Sequence, residues 1–159
     1  MPVVICYRHN ERLDAFILNE RLLLEDVPTQ LVQFDSTGQT TEDLCGSLCQ
    51  QLSDATHLIG VLSSEGAQRW WTAWLMGAAV MASRRVSLYQ SGAQSLPEHL
   101  GKWPVMRSRE HIELFVRAYH DERTFERAMS LPPVRLHSVD RSNAHFFHAD
   151  LKAKIRRGF

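Results

Sequence analysis

The feature that most constrains the fold of this chain is the alternation of short apolar runs with stretches of helical spacing. The apolar runs cover residues 3–7, 30–34, 58–62, 86–89 and 104–106. Helical patterns cover 11–25, 41–53 and 67–83 between them, and the first rests on Leu13, Phe16, Ile17, Arg21 and Leu24. Apolar runs this short are typical of strands. Strands that alternate with helices predict a parallel sheet with helices on both faces.

The composition of the predicted strands indicates their order in the sheet. Residues 3–7 and 58–62 are continuous apolar runs, as expected for central strands that are buried on both faces. The run at 30–34 carries Gln30 and Gln33 among apolar residues, which is typical of an edge strand. This pattern predicts a flavodoxin-like α/β fold with a parallel sheet of about five strands in the order 2-1-3-4-5. Ligands of such folds bind outside the carboxyl ends of the strands, near the switch point between the first and third strands.

The last third of the chain is predicted to be mainly helical. Ser108 is expected to cap a helix that runs to Tyr119, and a second helical piece over 122–131 is expected to stop at Pro132. We therefore expect an α/β domain over 1–131. A C-terminal extension over 132–159 is expected to be helical or partly disordered.

Charge and composition narrow the range of functions. Lysine plus arginine and aspartate plus glutamate both number 18, so no net field favours nucleic acid as a partner. No apolar run approaches the roughly 18 residues that a membrane span needs, and the first strand lies where a secretory leader would be. The three cysteines are an odd number, which disfavours a disulfide framework. We expect a soluble, cytoplasmic protein without a membrane partner.

Polar side chains follow the first three predicted strands. They are Arg8, His9 and Asn10 after the first, Asp35 after the second, and Ser63 and Ser64 after the third. Because the carboxyl ends of parallel strands meet at one edge, we expect these residues to line one ligand-binding cleft. The Arg8 fork suits a diphosphate, or it pairs with Asp35 or Glu65 across the strand ends. His9 is expected to be a polar loop residue rather than a catalytic base.

The order of several short motifs over residues 1–120 resembles that of Toll/interleukin receptor (TIR) domains. The motifs are Ile5-Cys6-Tyr7-Arg8, the helix of Asp14, Phe34-Asp35, Leu62-Ser63 and Trp70-Trp71. A segment of nucleoside deoxyribosyltransferase-like proteins is similar to Thr72-Ala73-Trp74-Leu75-Met76-Gly77. The TIR resemblance implies a nucleotide-type ligand such as NAD, a protein partner or self-association, and a role in bacterial-type signalling or defence.

Both resemblances place a catalytic glutamate at the position of Leu75. Enzymatic TIR domains cleave the nicotinamide glycosidic bond of NAD, and the expected oxocarbenium-like transition state is stabilised by an adjacent carboxylate. Leucine offers neither a charge nor a hydrogen bond. The resemblance therefore implies a catalytically degenerate module, with NAD or a related nucleotide as a ligand and no cofactor assigned. Two alternatives stay open, namely an NAD hydrolase or cyclase that uses another carboxylate such as Glu65, and a nucleoside deoxyribosyltransferase-like protein.

Three tryptophans, Trp70, Trp71 and Trp74, fall on one and a half turns of the third helical pattern. Their spacing places at least one pair on the same face. A helix that is apolar nearly all round indicates a second buried surface. The indoles therefore either complete the core or form an association surface, and we expect at least one of them to be exposed and to serve as an interface.

His145 and His148 have the i,i+3 spacing of two ligands on one helix face, and another histidine and two aspartates lie nearby in sequence. A zinc site needs further ligands that converge on the same point. The aromatic pair between the two histidines indicates instead an amphipathic segment that packs on the body of the protein. We therefore expect no metal site.

Overall fold

The computed structural model describes residues 2–34, 40–63, 70–92, 95–128 and 137–158. Within these ranges the strands are β1 (Val3–Tyr7), β2 (Thr29–Gln33), β3 (His57–Val61), β4 (Arg85–Tyr89) and β5 (Val105–Met106). The helices are α1 (Arg12–Leu24), α2 (Thr41–Asp54), α3 (Trp70–Met81), α4 (Arg109–Ala128) and α5 (His137–Arg157). Short 3-10 turns occupy His9–Glu11 and Glu98–Lys102.

The sheet is parallel and has the strand order β2-β1-β3-β4-β5, which confirms the flavodoxin-like arrangement. β1 lies between β2 and β3, with Val3 opposite both Thr29 and His57. β2 is the edge strand that Gln30 and Gln33 predict, and most of its residues are half-buried. β1, β3 and β4 are buried along their whole length, so their ends are the places where they meet polar groups.

Side-chain alternation along β1 divides the core into two layers. Val3, Ile5 and Tyr7 face the layer formed with α1, α4 and α5. Val4 and Cys6 face the layer formed with α2 and α3. Helices therefore cover both faces of the sheet, as its continuous apolar strands require.

The buried face of α1 differs from the apolar stripe that predicted this helix. Ala15, Leu18 and Leu22 are the residues that pack in the core. Leu13 and Leu24 of the stripe are exposed, Leu24 at 82%. Because α1 has apolar residues on both of its sides, periodicity predicted the helix and not its orientation.

α4 is one continuous helix over Arg109–Ala128, whereas two helical pieces were expected. No glycine or proline occurs in this range, so nothing in the local chemistry ends the helix at Tyr119. Ile112, Phe115 and Val116 are buried, in agreement with the prediction. Residues 129–131 of the second predicted piece lie outside the described residues.

A buried charged group joins the amino edge of the sheet to α4. Arg85, at the start of β4, is only 1% exposed, and its Nη2 lies 2.6 Å from Oε1 of Glu122. Oε2 of Glu122 lies 3.2 Å from Nε2 of His57, at the start of β3. Burial raises the pKa of Glu122, but the hydrogen bond with His57 and the charge of Arg85 outweigh it and hold the pKa below its usual value. Loss of Arg85 would leave the carboxylate of Glu122 without its cation in a largely buried position, so this contact fixes α4 on the sheet.

α5 packs on α4 and β4 and completes the layer that contains α1. Phe147 and Leu151 are buried in the same cluster as Phe115 of α4. Nε2 of His148 accepts a hydrogen bond from the backbone N–H of Val86 in β4 at 2.7 Å. The C-terminal extension is therefore helical over His137–Arg157. Among the described residues, none of the helices has the length and apolar character needed to cross a membrane.

His148→Gln is expected to flatten the pH dependence of stability below neutrality. Burial, and then the charges of His145, Arg85, His57 and Lys102, lower the pKa of His148 to about 4, against about 6.5 in the unfolded chain. The unfolded state therefore binds the proton first. This contribution to stability is complete above about pH 6.5 and is lost as the pH falls towards about 4.

The glutamine amide oxygen can still accept the backbone hydrogen bond but does not titrate. Between pH 7 and pH 5, the wild type is expected to lose roughly 1 to 2 kcal/mol more unfolding free energy than the variant. Chemical denaturation at the two pH values measures this difference. Equal losses in the two proteins would contradict the role given to His148.

Candidate functional site

A buried carboxylate joins the ends of β1 and β3 at the carboxyl edge of the sheet. Glu11, in the turn between β1 and α1, is 3% exposed. Its Oε1 accepts hydrogen bonds from the backbone N–H and the hydroxyl of Ser63, both at 2.8 Å. Its Oε2 accepts a hydrogen bond from the backbone N–H of Arg8 at 3.0 Å. Both oxygens are engaged, so Glu11 holds the two strand ends together at the switch point of the sheet.

This carboxylate brings together two of the residues predicted to line the cleft. Arg8 and Ser63 both donate to Glu11 from their backbone N–H groups. His9 and Asn10 form the exposed part of the same turn. Outside the described residues lie Asp35, Ser64 and Glu65, whose places in the cleft stay predictions.

Glu11 was missed in the sequence because the residue was interpreted only as the start of a helix. The available signal was a glutamate three residues after Arg8, the residue that follows β1, which is the spacing of a capping box. The first position of that box is Arg8 rather than the serine, threonine or aspartate that usually marks a helix start. The bond to Ser63 spans 52 residues, so local patterns do not indicate it.

Other polar groups extend this edge towards β4. Oδ2 of Asp14 in α1 accepts a hydrogen bond from the hydroxyl of Ser91 at 2.6 Å. Burial, followed by the charge of Asp14, raises the pKa of Tyr89 at the end of β4. Gln90 is buried, and its Oε1 has no hydrogen-bond partner in the part of the chain that the structure describes. Because a buried acceptor without a donor costs about 1 to 3 kcal/mol, a donor group at this point would be stabilising.

Leu75, at the position that the resemblance assigns to a catalytic glutamate, is fully buried. It belongs to the apolar layer between α3 and the sheet, together with Trp71 and Met76. The ring of Trp71 lies 4.6 Å from that of Phe34, which follows β2. α3 contains no acidic residue, so it contributes packing and no carboxylate to this region.

The outer side of α3 is an uncharged stripe. At successive turns of the helix it presents Trp70, Ala73, Trp74, Gly77 and Met81, which we call the α3 stripe. Trp70 is 70% exposed, Trp74 is half-buried, and Trp71 points into the core. The outer face of a surface helix normally carries charged side chains. An apolar face with an exposed indole has the composition of an association surface.

The two histidines with metal-ligand spacing, His145 and His148, lie in different surroundings. Nε2 of His148 is engaged with the backbone N–H of Val86, and His145 is exposed. Among the described residues, no group of three or more side chains is placed to hold a metal ion. The side chains of His137 and Asp140 lie outside what the structure describes.

Comparisons with known proteins find similarity in structure and none in sequence. No protein-family model and no curated protein sequence matches this chain. Its structure is similar to that of a 2-deoxyribosyltransferase from Bacillus psychrosaccharolyticus, with a TM-score of 0.52 and 9% identity over 67% of this chain and 86% of the other. It is also similar to a flavodoxin-like domain from Synechococcus sp., with a TM-score of 0.45 and 13% identity over 98% of this chain and 99% of the other. The strand order already makes the chain a flavodoxin-like α/β protein, and at 9% identity the likeness to the transferase concerns the fold alone.

Glu11→Ala is expected to destabilise the protein by about 1 to 3 kcal/mol, because the N–H groups of Arg8 and Ser63 lose their acceptor in partly buried positions. Chemical denaturation of the variant and the wild type measures the loss. Glu20→Ala, at an exposed position of α1, is the control and should change stability by less than about 0.5 kcal/mol. An equally small effect of both substitutions would show that Glu11 does not hold the strand ends together.

Proposed function

We propose that this protein is a catalytically degenerate, TIR-like module that binds a nucleotide-type ligand at the carboxyl edge of its sheet. The observation that carries the proposal is the complete burial of Leu75. The position expected to supply the catalytic carboxylate is here part of the apolar layer, and α3 has no acidic residue to replace it. Without that anion, an oxocarbenium-like transition state loses about 3 kcal/mol or more of stabilisation, a rate factor on the order of a hundred or greater.

The carboxyl edge supplies groups that suit a nucleotide. Arg8 ends β1 at the switch point, where folds of this class bind their ligands, and a guanidinium suits a diphosphate. Oε1 of Gln90 is an acceptor for a hydroxyl or amino group of a ribose or base. Glu11 acts as a positioning residue, because both of its oxygens already accept hydrogen bonds from this edge.

Incubation of the purified protein with NAD is expected to release no nicotinamide above a buffer control. A parallel incubation with a 2′-deoxynucleoside and a free base is expected to give no exchange of bases, which addresses the deoxyribosyltransferase-like alternative. Chromatographic analysis of the products measures both. Nicotinamide release that Glu65→Gln abolishes would contradict the proposal and support the hydrolase or cyclase alternative.

Titration calorimetry with NAD, ADP-ribose and AMP tests the binding part of the proposal. At least one nucleotide is expected to bind. Arg8→Ala is expected to weaken its affinity about tenfold, since a charge-assisted contact is lost. Arg117→Ala, at an exposed position of α4, is the matched control. If none of the three binds at millimolar concentration, the ligand proposal fails although the fold stands.

Assembly through the α3 stripe is a second candidate function. The stripe carries no charge along its whole length, and Gly77 allows another helix to approach closely. Trp70 projects at its start and is largely exposed. Exposed tryptophan is among the residues that contribute most to protein interfaces, so we propose self-association or binding of a protein partner at this face.

Trp70→Glu is expected to dissociate dimers or larger species and to leave the fold intact, because a charge in an apolar interface carries a desolvation cost without a partner. Analytical ultracentrifugation of the wild type and the variant measures the change. Phe146→Glu, at an equally exposed aromatic position on α5, is the control. A wild type that sediments as a monomer at every accessible concentration would contradict self-association.

A further inference from the structure

A cationic niche lies at the amino edge of the sheet, between the end of α3, the turn before β5, and α5. It is one strand length from the carboxyl edge, or about 13 Å for four residues of strand. The residues that matter for its chemistry are Ser83, Arg84, Lys102, Trp103, Arg141 and His145. We call this site the amino-edge niche.

The described charged residues that line the amino-edge niche are all basic. Arg84, Lys102 and Arg141 line it, and none of its described lining residues is acidic. Lys152 of α5 donates hydrogen bonds to the carbonyl oxygens of Gly101 and Lys102, which holds the turn against the helix. A cleft lined by charges of one sign concentrates ions of the other sign, so the niche attracts an anion.

The floor of the amino-edge niche offers two hydrogen-bond donors without an acceptor among the described residues. The Oγ of Ser83 and the Nε1 of Trp103 are both buried, and neither has a hydrogen-bond partner in the described part of the chain. Ser83 as a whole is 3% exposed. The enclosed space is about 20 Å³, which accommodates about one water-sized atom. One oxygen of a larger anion therefore fits inside while the rest of that anion stays at the rim.

The backbone at Ser83 allows the role of its hydroxyl to be tested. Its φ of 57° is left-handed, and it follows α3 in a Schellman cap in which its N–H bonds to the carbonyl of Val80 and that of Arg84 bonds to Ala79. Glycine is the residue that occupies this position without strain. Glycine can therefore replace Ser83 without disturbing the cap, which makes the hydroxyl testable by itself.

We propose that the amino-edge niche binds a phosphate-type oxyanion, either free or carried by a small molecule. One anion oxygen accepts hydrogen bonds from Ser83 and Trp103 at the floor. The remaining oxygens contact Lys102 and Arg141 at the rim, since ammonium and guanidinium groups form strong charge-assisted bonds with phosphate.

Inorganic phosphate is the probe for the first experiment. Titration calorimetry at pH 7 is expected to show saturable binding of one phosphate per chain. The thermal midpoint is expected to rise with phosphate by mass action, and sodium chloride at the same ionic strength is expected to have no such effect. A chloride effect as large as that of phosphate would reduce the result to charge screening and would overturn the proposal.

Ser83→Gly tests the floor of the niche without harming the fold. The substitution removes the hydroxyl and relieves the left-handed backbone, so stability is expected to be kept or increased while phosphate binding weakens about threefold to tenfold. Asp26→Gly is the matched control, because Asp26 has the same φ of 57° in the cap that follows α1. Unchanged phosphate affinity in Ser83→Gly would overturn the assignment of the floor.

The rim is tested by the double variant Lys102→Gln with Arg141→Gln, which is expected to weaken phosphate binding by at least about tenfold. Lys154→Gln is the control on the same helix, because Lys154 is already paired with Asp150 at 2.7 Å. Equal affinity in the double variant and the wild type would place any phosphate elsewhere and would overturn the proposal.

Competition by AMP distinguishes the source of the phosphate group and separates this site from the carboxyl edge. If AMP competes with inorganic phosphate and Ser83→Gly weakens AMP binding, a phosphorylated small molecule is the ligand of the niche. Failure of AMP to compete leaves free phosphate as its ligand. A nucleotide whose affinity falls in Arg8→Ala and is unchanged in Ser83→Gly binds at the carboxyl edge. The two proposals therefore fail or succeed separately.

Discussion

Burial of the central strands on both faces is the constraint on which the rest of this molecule depends. β1, β3 and β4 have no solvent-facing side, and a charged side chain in the middle of such a strand would lack hydration and a partner. Charged groups are therefore placed where strands begin and end. Glu11 and Arg8 lie at the carboxyl ends, and Arg85 and His57 lie at the amino ends.

The two edges of the sheet differ in chemical character because different elements close them. The carboxyl edge is rich in acceptors, with the carboxylates of Glu11 and Asp14 directed at backbone and hydroxyl donors. The amino edge is closed by α4 and α5, and the niche there is lined by Arg84, Lys102 and Arg141. The two proposed sites therefore lie at opposite ends of the same strands.

The sequence predicted the topology well because burial leaves a direct mark on composition. Gln30 and Gln33 distinguished the edge strand from its apolar neighbours, and the order of all five strands followed. The sequence pattern did not predict which side of α1 packs in the core, since apolar residues occur on both of its sides. The burial of Arg85 was not predicted either. An arginine beside a strand normally lies at the surface, and its acceptor Glu122 is 37 residues away in the sequence. Contacts between distant segments decide such cases, and periodicity carries no information about them.

The contribution of α5 to the core has a consequence for how the chain folds as it is made. Phe147 and Leu151 close the layer that also contains β1 and α1, yet they are synthesised after every other element of that layer. Until they emerge from the ribosome, the apolar side chains of Ile5 and Phe115 lack part of their cover, and exposed apolar surface on a nascent chain favours chaperone binding or aggregation. Folding of this protein is therefore expected to finish only after α5 has been translated.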